Sequence, residues 1–312
     1  MIENNAKIYV AGHRGLVGSA IMRSLAQKGY HNLIVRTHHE LDLTRGADVE
    51  RFFETERPEA VFLAAAKVGG IQANATYPAD FIRENLLIAT NVLDSAWRFG
   101  VKHLLYLGSS CIYPKHCPQP ILESYLLTGP LEPTNEPYAI AKIAGLKLCE
   151  FFNQQYGTRF LPVMPTNLYG PGDNYNLLTS HVIPALIRKL HDAKNAALPH
   201  IELWGTGTPR REFLYADDLA DACTFLLFET DANECINIGT GSDITIAELA
   251  HAVAQTVGYE GEIRFDHIHP DGTPQKCLNV SKLHACGWQA KTPLHEGLRH
   301  AYEDFLMGSF RT

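Results

Sequence analysis

Long apolar runs and an excess of positive charge are both missing from this sequence of 312 residues. A membrane-spanning helix needs about eighteen consecutive apolar residues, and no such stretch occurs. Acidic residues outnumber Lys and Arg by 34 to 27, which gives a formal net charge of −7 and no basic footprint for nucleic acid. The first residues also lack an apolar secretory segment. We therefore expect a cytoplasmic protein that binds neither nucleic acid nor membranes.

Paired cysteines are missing as well. The seven cysteines are an odd number and include no Cys-x-x-Cys pair, which is unlike a disulfide framework or a structural zinc site. We expect reduced thiols and no bound metal. Repeats, low-complexity segments and flexible linkers are also absent, so the length predicts one large or two modest domains.

A glycine-rich turn stands between the first predicted strand, residues 7–12, and the first predicted helix, residues 16–28. Its glycines permit a tight turn, close approach of the backbone to a pyrophosphate and close packing of helix on strand. The helix N-terminus adds free N–H groups and positive potential. The pattern therefore predicts a dinucleotide site with contacts from Gly12, His13, Arg14, Gly15, Leu16, Val17 and Gly18.

The second predicted strand ends at a cation rather than an acidic residue. An enzyme that prefers NAD carries a carboxylate there for the adenosine ribose, whereas this chain has Arg36, followed by His38. Arg14, inside the glycine turn, could join Arg36 around a 2′-phosphate. We therefore predict NADP(H) rather than NAD(H), the alternative being that Arg36 is an ordinary solvated cation.

Strands and helices alternate through the first half of the chain. We predict strands near 60–65, 103–110 and 159–166, and helices near 44–55, 79–99 and 138–156. This order indicates an α/β fold with a Rossmann-type, doubly wound parallel sheet. We assign residues 1–172 to a dinucleotide-binding domain and residues 173–312 mainly to a smaller α/β substrate domain, some of whose segments can return to the main sheet.

Two polar segments follow predicted strands of this sheet, residues 108–111 and residues 165–171. Ligands of doubly wound sheets bind at the carboxyl ends of the strands. We therefore expect both segments in one crevice, with cofactor contacts from Leu107, Gly108, Ser109, Ser110, Pro165, Thr166, Asn167 and Leu168.

Tyr138 and Lys142 stand four residues apart in a predicted helix, a spacing that places both side chains on one face. A free phenol has a pKa of about 10, and we expect the ammonium group to lower the pKa of Tyr138 by favouring the phenolate. Such a pair can protonate or deprotonate an alcohol oxygen. The structural alternative is a surface pair that serves packing and solubility.

Together these motifs resemble the extended short-chain dehydrogenases/reductases that act on nucleotide sugars, with Gly-x-x-Gly-x-x-Gly, then Ser109 and Ser110, then Tyr-x-x-x-Lys. Four stretches closely resemble the GDP-L-fucose synthase family, namely residues 64–71, 108–114, 132–142 and 180–185. The similarity runs nearly end to end. It implies conversion of GDP-4-keto-6-deoxy-D-mannose to GDP-L-fucose, with inversion of C3 and C5 and reduction of C4 by NADPH.

The resemblance implies a catalytic set made of Ser109, Cys111, Tyr138, Lys142 and His181. Ser109 and Tyr138 would hold the C4 oxygen, and Lys142 would also orient the nicotinamide ribose, with His181 as a further cofactor contact. Cys111 and His181 would act as acid and base on opposite faces of the sugar. Their reference pKa values of about 8.5 and 6.5 bracket neutral pH, so which of them is the base stays open.

Four substrate contacts are also implied by the resemblance. Lys189 and Arg211 would meet the diphosphate, Trp204 would line the sugar pocket, and Asp271 would accept hydrogen bonds from hydroxyl groups. Lys189 and His38 depart from the family, in which Arg is common at both positions. The long helices near 79–99 and 138–156 carry apolar residues such as Val92 and Leu146 around more than one face, and reductases of this superfamily often dimerise there, so we expect a homodimer.

Two other functions stay open. The first is another nucleotide-sugar epimerase or 4-reductase of the same fold. A 4-epimerase that recycles NAD would want an acidic residue in place of Arg36, and dehydratases typically carry an Asp-Glu pair where this chain has Cys111 and Ile112. The second is a non-catalytic NADP(H)-binding regulator, which need not keep Ser109, Tyr138 and Lys142.

Overall fold

A six-stranded parallel sheet forms the centre of the molecule. The computed structural model describes residues 2–69, 71–177, 179–268 and 271–308, without the side chains of residues 71, 72 and 75. From the N-terminus the elements are β1 (Ile8–Ala11), α1 (Leu16–Gln27), β2 (Leu33–Ile34), α2 (Gly46–Glu56), β3 (Ala60–Leu63), α3 (Ile71–Thr76), α4 (Pro78–Arg98), β4 (His103–Leu107), α5 (Glu136–Tyr156), β5 (Phe160–Pro165), β6 (Asn167–Tyr169) and α6 (Val182–Asn195). They continue with β7 (His200–Trp204), β8 (Arg210–Arg211), β9 (Phe213–Tyr215), α7 (Ala216–Glu229), β10 (Ile236–Ile238), β11 (Ile244–Thr245), α8 (Ile246–Val257), β12 (Glu262–Asp266), β13 (Gln275–Lys276), α9 (Ser281–Ala285) and α10 (Leu294–Met307).

The strand order in the main sheet is β10-β5-β4-β3-β1-β2, and every neighbouring pair is parallel. β1, β3 and β5 are buried at every position, as expected for strands covered by helices on both faces. α1 packs on α7, while α4 packs on α2 and α5, and right-handed crossovers place these two groups on opposite faces. The predicted α/β fold is confirmed.

The chain runs from β1 outward to β2 and then crosses back to β3 on the other side of β1. This reversal makes a switch point at the carboxyl ends of β1 and β3, where Ala11 pairs with Leu63. Open α/β sheets bind their ligands at such a point. Gly12 follows β1 there.

Most predicted elements agree with the structure to within a few residues, but the strand predicted to reach residue 110 ends at Leu107, because Ser110–Ile112 forms a short 3-10 helix.

A second apolar cluster lies outside the main sheet. α6, α8 and α10 pack together there around Leu190, Val253 and Leu298, and β7 pairs in parallel with β12. The proposed division at residue 172 is not a clean cut through the packing, since Tyr169 belongs to this cluster while α7 and β10 belong to the core around the main sheet. Across the described ranges, no helix is both long and apolar enough to cross a bilayer.

Candidate active site

A cleft of about 970 Å³ opens at the carboxyl ends of β1, β3, β4 and β5. It brings together the segments that the sequence places at strand ends, and it also includes residues that local motifs did not single out, such as Glu84 and Thr179. All five predicted catalytic residues line it. So do the predicted cofactor contacts other than Gly18: Gly12, His13, Arg14, Gly15, Leu16, Val17, Arg36, His38, Leu107, Gly108, Ser109, Ser110, Lys142, Pro165, Thr166, Asn167, Leu168 and His181.

The glycine turn fits a dinucleotide pyrophosphate. Gly12 has φ +82°, and a Cβ there would lie 2.8 Å from the backbone N of Ala65, so any other residue would block the switch point. Gly18 is buried, and a Cβ there would collide with the carbonyl oxygen of Gly12, which explains how α1 approaches the turn so closely. Gly15 is the N-cap of α1, and the first turn of this helix has no acidic residue. Free N–H groups and positive potential therefore face the cleft.

The cations expected to bind the 2′-phosphate lie on the cleft wall, but they differ in their contacts. The Arg36 guanidinium is 2.6 Å from the Glu56 carboxylate and donates to the carbonyl of Val35 at 2.8 Å. Arg14 is exposed. The His38 side chain is 84% exposed, with its Nδ1 3.9 Å from Asp42. Arg36 is thus held in place by Glu56, whereas Arg14 and His38 project toward solvent at the same end of the cleft.

The residues expected to carry the chemistry meet where β4 ends and α5 begins. Ser109 accepts a hydrogen bond from the backbone N–H of Cys111 at 3.2 Å, and its hydroxyl also hydrogen-bonds to Tyr138. Lys142 is buried, and its ammonium donates to the carbonyl of Leu107 at 2.6 Å. The Nζ of Lys142 lies 5.8 Å from the centre of the Tyr138 ring. Ser109, Cys111, Tyr138 and Lys142 therefore form one cluster on the cleft wall.

The prediction that Lys142 lowers the pKa of Tyr138 is wrong for this structure. Burial raises the pKa of Tyr138, and the charge on Cys111 raises it further, while only the Ser109 hydrogen bond acts in the other direction. Burial also lowers the pKa of Lys142 to about 8. Desolvation outweighs the attraction between the two groups because the ammonium is directed to the carbonyl of Leu107. Spacing along a helix indicates proximity, but it does not reveal the burial of either group.

His181 stands at the N-cap of α6 and lines the same cleft. Its side chain is exposed toward the cleft, yet desolvation by the surrounding protein lowers its pKa. The imidazole is consequently neutral at pH 7, a form in which one ring nitrogen can donate and the other can accept.

The four residues expected to contact the substrate lie outside the cleft, on a neighbouring surface that we call the substrate shelf (Lys189, Trp204, Arg211 and Asp271). Lys189 Nζ is 6.0 Å from the Trp204 ring, and Trp204 is 72% exposed. Asp271 accepts from the backbone N–H and the hydroxyl of Thr206 at 2.9 and 2.7 Å. Arg211 interacts electrostatically with both Asp271 and Cys111. The shelf therefore adjoins the cleft at Cys111.

Two residues of this region were missed by the sequence analysis. Lys276 Nζ lies 3.8 Å from Cys111 Sγ. Glu212 is fully buried beneath the shelf and accepts backbone N–H bonds from Thr240, Gly241 and Leu278 at 2.6 to 2.8 Å. Burial raises the pKa of Glu212 although these hydrogen bonds oppose the shift. Neither residue belongs to a periodic pattern or a recognisable local motif, so nothing in the sequence marked them.

The structure also bears on the cysteine and metal predictions. All seven cysteines are free thiols. Within the described part of the chain, no three His, Cys, Asp or Glu side chains are grouped so that they could hold a metal ion.

The sheet, the glycine turn and the Ser, Tyr and Lys cluster define an extended short-chain dehydrogenase/reductase with a nicotinamide dinucleotide cleft. A family model described as the NAD dependent epimerase/dehydratase family matches residues 8–239. The chain is 58% identical to GDP-L-fucose synthase 1 of Arabidopsis thaliana over 306 residues, covering 98% of this chain and 95% of that protein. It is 52% identical to GDP-L-fucose synthase of Escherichia coli (strain K12), covering 96% of each.

A solved structure agrees with these sequence matches. The crystal structure of a GDP-L-fucose synthetase from Naegleria fowleri bound to NADP superposes with a TM-score of 0.92 at 28% identity, covering 99% of this chain and 95% of that one. The chain belongs to the GDP-L-fucose synthase family within the NAD dependent epimerase/dehydratase family.

Proposed function

We propose that this protein catalyses the NADPH-dependent conversion of GDP-4-keto-6-deoxy-D-mannose to GDP-L-fucose. The observation that carries the proposal is the meeting of Ser109, Cys111, Tyr138 and Lys142 on one wall of the dinucleotide cleft, with His181 on another element that lines the same cleft. A purely cofactor-binding regulator would not need this set. The product, GDP-L-fucose, is the sugar in the names of the relatives that match nearly the whole chain.

One ketone serves all three changes to the sugar. A carbonyl at C4 acidifies the hydrogens on C3 and C5, so removal of either proton gives an enolate whose charge rests on the C4 oxygen. Ser109 and Tyr138 donate hydrogen bonds to that oxygen and stabilise the charge, as an oxyanion hole does. Inversion requires proton removal on one face and delivery on the other, which is the task of Cys111 and His181.

Reduction of C4 uses the same contacts. A nicotinamide held in the cleft would supply a hydride to C4, and the Tyr138 phenol gives its proton to the C4 oxygen, so that the carbonyl becomes an alcohol. Lys142, whose Nζ lies 5.8 Å from the centre of the Tyr138 ring, would orient the nicotinamide ribose. Because its pKa is lowered to about 8, the charge of Lys142 responds to small changes in the cleft.

The cofactor is proposed to be NADP(H) rather than NAD(H). Arg36, fixed by Glu56, and the exposed Arg14 present two cations at the adenosine end of the cleft, where a 2′-phosphate would receive charge-assisted hydrogen bonds. The remaining turn and strand-end residues that line the cleft surround the pyrophosphate and the nicotinamide. On the shelf, Lys189 and Arg211 contact the substrate diphosphate, while Trp204 and Asp271 face the nucleotide sugar.

We further propose a cytoplasmic homodimer. Free thiols are typical of a reducing compartment. Val92 and Leu146 are buried inside the protomer, so they do not support an interface. The outer face of α5 does, because Phe151 is 59% exposed and Ile140 is 41% exposed on a helix that packs along α4. Light scattering should give twice the protomer mass of 34.7 kDa, and a single protomer mass at every concentration would contradict the proposal.

The function is tested by mixing the protein with GDP-4-keto-6-deoxy-D-mannose and following NADPH oxidation at about 340 nm, with the product identified by NMR. We expect GDP-L-fucose, and weaker turnover when NADH replaces NADPH. Ser109→Ala is the matched control, since it removes one donor to the C4 oxygen and leaves the glycine turn intact. NADPH binding without consumption would contradict the proposed substrate and turn attention to other keto sugars.

A further inference from the structure

A lysine from the far end of the chain reaches the sulfur of Cys111. Lys276 Nζ lies 3.8 Å from Cys111 Sγ, although 165 residues separate the two in sequence. Both side chains are half-buried. A thiolate beside an ammonium group is stabilised, and reactive cysteines typically lie in such electropositive, partly exposed surroundings.

The position of Lys276 is fixed from several sides. β13 pairs in parallel with β8, so that Lys276 lies beside Arg211. The residue after it, Cys277, donates its N–H to the Gln119 side chain at 2.9 Å and accepts from the N–H of Ile121 at 2.8 Å. These contacts join the strand to the loop that follows Cys111. The backbone that carries Lys276 is therefore held in place beside the loop that follows Cys111, which keeps the ammonium group close to the sulfur.

The charges around Lys276 favour the same pairing. In the described ranges, no Asp or Glu carboxylate lies within ion-pair distance of Lys276, whereas Lys115 is 2.8 Å from Glu132 and Lys282 is 3.2 Å from Glu234. The Arg211 guanidinium also interacts electrostatically with the sulfur of Cys111. The other ionisable group facing it is Tyr138, whose phenol gives its hydrogen bond to Ser109 or accepts one from it.

We propose that Lys276 is a positioning residue of the active site whose ammonium group pairs with the sulfur of Cys111 and stabilises the thiolate that takes part in proton transfer. The proposal rests on the epimerisation described above. In that step an S–H bond forms as the C–H bond beside the ketone breaks, and the electron pair of that bond passes to the C4 oxygen held by Ser109 and Tyr138. A proton is then delivered through His181 to the opposite face of the carbon as the electron pair returns from the C4 oxygen. The Cys111 thiol gives its proton to solvent, and the ion pair is restored.

The pairing is measured directly by alkylation of Cys111 with iodoacetamide at pH 7, followed for each cysteine by mass spectrometry. Iodoacetamide carries no charge, so its reaction rate reports the thiolate fraction. Lys276→Met and Lys276→Gln should each slow alkylation of Cys111 by roughly tenfold. Lys276→Arg keeps the cation and should stay within about twofold of the parent rate.

Two internal comparisons make the result specific. Lys282→Met removes a lysine of the same region that pairs with Glu234, and it should leave the Cys111 rate unchanged. Cys286, which is also half-buried, should react equally in the parent protein and in the Lys276 variants, so a change in Cys286 there would show altered folding instead. Solvent deuterium incorporation at the epimerised carbons should fall in parallel with Cys111 alkylation.

An unchanged rate of Cys111 alkylation in Lys276→Met and Lys276→Gln would overturn the proposal. If these variants instead raise only the KM for the sugar nucleotide, Lys276 is a cation that binds the substrate diphosphate. The alkylation assay needs no substrate. It therefore tests the Lys276 pairing even if the protein acts on a different sugar, while product analysis of the parent enzyme tests the proposed function separately.

Discussion

A buried ionisable side chain serves each of two regions, Lys142 in the dinucleotide cleft and Glu212 beneath the substrate shelf, and the two are held in opposite ways. In the cleft, the ammonium of Lys142 donates to a strand-end carbonyl, that of Leu107. Beneath the shelf, the carboxylate of Glu212 accepts backbone N–H bonds from three residues of two loops. The Lys142 ammonium group therefore lies on the wall of the ligand cleft, whereas the Glu212 carboxylate joins segments of the protein to one another.

This difference follows from how the two regions are built. The cleft lies at the ends of long, fully buried strands such as β3 and β5, so the main sheet fixes its geometry. The shelf depends on β8 and β13, which contain two residues each. Short strands contribute few ladder hydrogen bonds, and the buried carboxylate supplies the missing constraint. We therefore expect mutations in the cleft to change chemistry and mutations beneath the shelf to change stability.

The sharpest test of the cleft separates proton transfer at carbon from proton transfer at oxygen. Tyr138→Phe removes the phenol proton and should lower C4 reduction by about 10²- to 10⁴-fold, the usual contribution of a general acid. Cys111→Ser should instead suppress solvent deuterium incorporation at C3 and C5. NADPH oxidation and proton NMR of the recovered sugar in deuterated water measure the two effects. Equal loss of both activities in both variants would contradict this division of roles.

Beneath the shelf, Glu212→Leu should lower the free energy of unfolding by about 3 kcal/mol or more, because the N–H groups of Thr240, Gly241 and Leu278 lose their buried acceptor. Glu212→Gln keeps an oxygen for the first two N–H groups and should cost about half as much. Urea unfolding measures both.

The control for this pair is Glu248→Gln. Glu248 accepts from the backbone N–H and hydroxyl of Thr245 in an exposed capping box, so its replacement should cost less than about 1 kcal/mol. If Glu212→Leu unfolds at the same urea concentration as the parent protein, the shelf does not depend on its buried carboxylate.

The two regions also differ in how well the sequence predicts their residues. The cleft was predictable because each segment follows its own strand, so that Gly12, Ser109 and Thr166 are located by local pattern alone. Lys276 and Glu212 were not, because β13 joins β8 across 65 residues with only two residue pairs and no periodic signal. The direction of the Tyr138 pKa was also predicted wrongly, since burial depends on packing that no spacing shows.

The smallest predicted effect is the pH dependence of stability that arises from Lys142 in the cleft. Burial lowers the pKa of Lys142 from 10.5 in the unfolded chain to about 8. Between these values the unfolded state binds a proton that the folded state does not, so the free energy of unfolding rises with pH. From pH 8 to pH 9.5 the Lys142 contribution to the free energy of unfolding should rise by about 1.5 kcal/mol. Urea unfolding of the parent protein and of Lys142→Met at both pH values isolates this contribution. The variant should lack the rise, while Lys282→Met, which alters an exposed lysine, should keep it. An equal rise in the parent protein and in Lys142→Met would mean that the cleft does not hold a desolvated ammonium, and the two regions would then differ in strand length alone.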